Sequence, residues 1–109
     1  MQRDERLAIL KGLPKVDLHR HLEGSMRLST LLEFGRRQGL DLPLGDLASL
    51  SKALCFHEGE PRSLPHFLSK FHSGWYANYG DVERVCREVV EDAAADGVRV
   101  LELRFSPER

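Results

Sequence analysis

Lys15-Val16-Asp17-Leu18-His19-Arg20-His21-Leu22-Glu23-Gly24 is the stretch on which the reading of this chain turns. An extended strand sends alternate side chains to opposite faces, so His19 and His21 fall on one face, about two residue rises apart. Two neutral imidazoles so placed can grip one metal ion, whereas neighbours two apart on a helix diverge. Val16, Leu18 and Leu22, with Arg20 among them, are expected on the other face. The pattern predicts a strand over 15–21 that ends at a metal, with His19 and His21 as its ligands. The competing reading is a pair of histidines on a solvated strand face.

Upstream of the strand, residues 1–12 read as a charged helical lead-in with Arg3, Asp4, Glu5 and Arg6 on a solvated face, broken by Gly12-Leu13-Pro14. Downstream, Gly24-Ser25 turns the chain. Leu28, Leu31, Leu32 and Gly35 recur at helical spacing, and Gly39 stops that helix. Asp41 to Gly45 is a linker. Asp46 caps a shorter helix carrying Leu47, Leu50 and Leu54. His57 to Arg62 is a loop, and Ser63 caps the next helix, with Pro65 in its first turn and Leu64, Phe67, Leu68, Phe71 and Trp75 as its apolar face. Asp81 is expected to cap the most regular helix, where Val82, Val85, Cys86, Val89, Val90 and Ala93 repeat at three and four and Gly97 ends the run. Residues 98–105 alternate as a second strand, with Leu101, Leu103 and Phe105 on one face and Glu102 and Arg104 on the other. His57, His66 and His72 have no metal spacing and read as surface or loop residues, and Trp75 and Tyr76 as packing aromatics.

The whole-chain numbers suit a soluble globular domain: 109 residues, 41% hydrophobic and 30% charged. Sixteen basic residues nearly cancel seventeen acidic ones, so no charge block argues for nucleic acid or a membrane surface as partner. The charged opening argues against a secretory signal, and no stretch has the length of a membrane span. Cys55 and Cys86 stand alone and suit reduced thiols, so a cytoplasmic location is expected.

Strand, helices, strand is the order of an α/β unit with two parallel strands. Two strands close no barrel, and a (β/α)8 barrel takes about 250 residues. The expected fold is therefore α/β, the N-terminal part of a TIM barrel: the first two strands with the helices of 28–96 between them, incomplete on its own. Its unpaired strand edges favour self-association.

Three ordered stretches resemble the adenosine deaminase family: Leu13 to Ser25 its N-terminal signature, Ser63 to Phe71 its lid helix, and Leu101 to Pro107 its second barrel strand. The HxH element alone is weak; the three together are specific. The resemblance implies a mononuclear zinc hydrolase that removes the 6-amino group of a purine nucleoside. It implies that His19 and His21 are the first two Zn2+ ligands, that His21 and Glu23 contact the substrate, and that Glu23 takes a sugar hydroxyl. Leu64, Phe67 and Phe71 match residues that roof the pocket; helical spacing alone makes them plain core. Glu102 and Arg104 are expected to point into the barrel beneath the site, or else to form a solvated ion pair.

The family's remaining ligands, its proton donor and its water-polarising histidine come from later strands and have no counterpart in these 109 residues. No catalytic residue is expected within this chain, which is read as a fragment or truncated product, inactive by itself. A second zinc deaminase class, with H-x-E followed by P-C-x-x-C, fits His21-Leu22-Glu23 but fails at Cys55 and Cys86. A phosphoesterase with an HxH barrel strand is disfavoured by Leu22-Glu23-Gly24, and a non-catalytic helical interaction module is the remaining alternative.

Overall fold

Pro14 and Gly24 bracket the segment Lys15–His21, which forms strand β1; Val98–Arg104 forms β2, and the two pair in parallel. The computed structural model describes residues 1–70 and 75–106. Along the chain the elements are helix α1 (Arg3–Gly12), β1, a 3-10 turn (Glu23–Ser25), α2 (Leu28–Gln38), α3 (Leu47–Leu54), α4 (Leu64–Leu68), α5 (Tyr79–Ala95) and β2. No described helix is long and apolar enough to cross a membrane. Phe71 and His72 lie outside the described residues, and so does Pro107.

The register runs Lys15↔Val98, Val16↔Val100, Asp17↔Leu101, Arg20↔Leu103 and His21↔Arg104, so β1 carries one extra residue between Asp17 and Arg20. That bulge corrects the facing expected for β1. Strict alternation places Val16 and Leu18 opposite the histidines, yet they are 60% and 58% exposed, and Leu18 and His19 are exposed in succession. An inserted residue resets the phase of a strand. Before the bulge Lys15 and Asp17, and after it Arg20, turn to the half-buried side, while Val16, Leu18, His19 and His21 share the open one. Leu22 alone enters the core.

The core lies on the helical side of this ribbon. Leu22, Phe34, Val85 and Val89 pack together with Leu103 against them, and Leu31, Leu50 and Trp75 form a second cluster beneath α3. Each such side chain contributes roughly 1.5–3 kcal/mol by leaving water. Helices α2 and α5 are clasped by an antiparallel series of polar pairs: Arg27 with Asp92, Thr30 with Glu88, Glu33 with Arg84, and Arg37 with Asp81. Steps of three or four on each helix keep all four on facing stripes.

Several ends differ from the expected ones. Asn78, not Asp81, caps α5: its side chain accepts the Asp81 N–H at 3.0 Å. Asp81 stands one turn in, where its buried carboxylate takes the Ala77 N–H and pairs with Arg37. The Ser63-capped helix, α4, runs only to Leu68, so it does not carry Trp75 on its face. β2 stops at Arg104, leaving Phe105 beyond it and 68% exposed. Gly97, between α5 and β2, has φ 80°, and a Cβ there would meet the Leu13 carbonyl at 2.9 Å. Its own carbonyl accepts the Lys15 N–H, which starts the pairing of the strands.

Candidate metal centre

Each residue of the site is delivered by the C-terminal half of a strand or the turn just after it. On β1, His19 and His21 turn their rings to the same side, with Nε2 atoms 3.1 Å apart and ring centroids 5.1 Å apart. Nitrogens held about 2.05 Å from a tetrahedral zinc stand about 3.3 Å from each other, so this pair fits two of four ligand positions. Without an ion, the same approach requires one ring to donate an N–H to the other. Among the described residues no group of three or more His, Cys, Asp or Glu side chains converges.

Asp17 sits behind the pair on the helical side of the bulge. Its Oδ1 accepts the His19 N–H at 3.1 Å and its Oδ2 accepts Arg20 Nε at 2.8 Å. The His19 amide foremost, then Arg20, holds this carboxyl below the usual aspartate range. On β2, Glu102 and Arg104 share the open face, 3.6 Å apart, and Arg104 Nη1 donates to the Leu18 carbonyl at 2.7 Å. The reading of these two as a bare surface ion pair therefore omits the cross-strand contact.

Glu23 opens the 3-10 turn that follows β1, and its Oε1 accepts the Ser106 N–H at 3.2 Å, which joins the exits of the two strands. It borders an open cleft of about 320 Å³ lined also by Met26, Leu28, Phe56, Phe67, Lys70 and Trp75. Phe67 thus reaches the cleft from α4, 45% exposed, whereas Leu64 is 66% exposed and borders a shallower hollow with Phe56 and Phe67.

A polar hub under α4 was not foreseen from the sequence. Glu60 accepts Lys70 Nζ at 2.6 Å, His66 Nε2 at 3.0 Å and the His57 N–H. Lys70 foremost, with the His57 amide and His66, lowers the Glu60 carboxyl to about 2. The His57 ring meets the Ser51 carbonyl at 2.9 Å. His57 and His66 therefore tie the loop to α3 and α4. The only sequence signal was the three-residue step from His57 to Glu60, which resembles a local turn.

Two parallel strands with a helical cover on one face fit the opening of a β/α barrel, and the paired imidazoles stand at the exit of its first strand. The adenosine deaminase family model matches residues 14–109, and the chain belongs to that family. It is 48% identical over 105 residues to the Dictyostelium discoideum protein named "Probable adenosine deaminase", covering 93% of this chain and 13% of that one. It is 46% identical over 102 residues to the adenosine deaminase of Aliivibrio fischeri, covering 91% and 30%. Among solved structures, an ADAL–IMP complex superimposes with TM-score 0.66 at 36% identity, over 94% of this chain and 30% of the other. The Arabidopsis ADAL–GMP complex gives 0.61 at 35% identity over the same shares. The fold is accordingly a partial barrel, and the chain spans less than a third of the length of these relatives.

Proposed function

We propose that this chain supplies the first two barrel strands and the lid segment of an enzyme that hydrolyses the 6-amino group of adenosine, or a related 6-aminopurine, giving inosine and ammonia. The single observation that carries the reading is the convergence of His19 and His21 on one point at the exit of β1, within a chain of this family. They would hold zinc through Nε2. The chemistry such an ion supplies when bound is acidification of water, which makes hydroxide available near neutral pH.

The chain's own residues bind and enclose. Glu23, which is hydrogen-bonded to Ser106 and borders the cleft, would accept a ribose hydroxyl. His21 would also contact the substrate. Met26, Leu28, Phe67 and Trp75 line the cleft with apolar surface that can cover a purine and keep bulk water out. The solved ADAL complexes contain IMP and GMP, which accords with a purine ligand.

Because the described residues bring only two histidines together, the 109-residue chain alone should not deaminate adenosine, and its exposed strand edges should favour self-association. A chimera tests the reading: residues 14–109 replace the matching stretch of the Aliivibrio fischeri enzyme. It should convert adenosine to inosine, and Glu23→Gln should raise KM more than it lowers kcat. A folded chimera without deaminase activity, or one indifferent to His19→Ala and His21→Ala, contradicts the assignment.

A further inference from the structure

The rings of His19 and His21 meet on a strand whose register is irregular between Asp17 and Arg20. Their Nε2 atoms are 3.1 Å apart and their ring centroids 5.1 Å apart. The peptide unit between Leu18 and His19 lies inside the segment where the strand register skips. Both polar ends of that one peptide are held by side chains. Its carbonyl, on Leu18, accepts Arg104 Nη1 at 2.7 Å from β2; its N–H, on His19, donates to Asp17 Oδ1 at 3.1 Å. Asp17 is itself fixed by Arg20 Nε at 2.8 Å, and Arg104 lies beside Glu102.

We propose that Asp17 and Arg104 are positioning residues: they clamp the Leu18–His19 peptide plane from opposite ends and thereby aim the His19 ring at the His21 ring. The orientation of a peptide plane sets the direction in which the next Cα–Cβ bond leaves the backbone. Turning this plane would swing His19 away while leaving His21, which lies beyond the bulge, in place. The clamp is split between the two strands, so the ring pair is fully aimed only when β2 has docked on β1. Neither residue touches the ion or the substrate. The link to metal rests on the metal reading above, whereas the aim of the rings does not.

Two readouts on the full 109-residue chain separate these statements. The first is the nuclear Overhauser effect between the Hε1 protons of His19 and His21; the second is titration with Co2+, followed by its visible absorption. Asp17→Ala and Arg104→Met should each abolish the ring–ring signal and weaken Co2+ uptake about tenfold or more, the usual cost of losing an outer partner of a ligand. Cross-strand amide signals from Lys15 and Val98 should persist. Asp17→Asn and Arg104→Lys, which keep an acceptor and a donor, should retain the ring contact. If Asp17→Ala or Arg104→Met also loses the cross-strand signals, Arg104→Lys is compared with the shorter Arg104→Gln, and only the lysine should keep the contact. A ring–ring signal that survives every substitution, or is absent from the unaltered chain, overturns the clamp. A ring contact governed by Asp17 and Arg104 without any Co2+ uptake supports the clamp and removes the metal reading instead.

Discussion

The two faces of the β1–β2 ribbon do different work. On the helical side Leu22 and Leu103 pack against Phe34, Val85 and Val89, and the carboxylates of Asp81 and Glu88 are buried with partners. On the open side Val16, Leu18 and Val100 are more than half exposed, and the histidines stand among them. One face holds the chain together and the other carries the paired imidazoles. Because the site draws little on the core, its residues should be replaceable with small loss of stability, and core residues should not.

The strongest test of that division is Phe34→Ala. Phe34 is fully buried between α2 and α5, and its loss should cost about 3–5 kcal/mol in urea unfolding. Asp81→Ala comes next. It strands the Ala77 N–H and the Arg37 guanidinium, and should cost about 1–3 kcal/mol in the same assay. Gly97→Ala forces a side chain into left-handed backbone against the Leu13 carbonyl, for about 1–2 kcal/mol and a lower thermal midpoint.

The Glu60 hub sharpens the comparison through pH. Its carboxyl falls from the ordinary 4.5 to about 2, so its stabilising effect is complete above 4.5 and is lost as pH drops towards 2. Glu60→Gln should lower stability near neutrality and flatten the acid side of a stability–pH curve, with the difference from the parent shrinking below pH 4.5. An unchanged acid limb would show that the hub does not hold the loop to α4. At the bottom of the scale, His19→Ala and His21→Ala should each shift unfolding by no more than about 0.5 kcal/mol, since neither ring enters the core.

What could be read from the sequence was local or additive. Asp46 and Ser63 cap their helices through the amides three residues on, a contact fixed by spacing alone. Gly39 and Gly97 have the positive φ that a helix-ending glycine is chosen for. Strand order implied parallel pairing. The bulge was invisible, because no glycine or proline marks it and it depends on how β2 docks. Asn78 and Asp81 are equally good capping letters, and only the burial of Asp81 against Arg37 decides between them. The α2–α5 clasp and the Glu60 hub join residues across loops, which periodicity does not report. At the site, the same side for both histidines was legible; the peptide that aims them was not.

On the proposed function, His19 and His21 are two ligands of one metal ion. Zinc content of the purified chimera, measured by atomic emission against protein concentration, tests it most directly. The account predicts about one zinc per chain, falling to a small fraction when both histidines are replaced by alanine in a protein that still folds. Full zinc occupancy without those two imidazoles would contradict it.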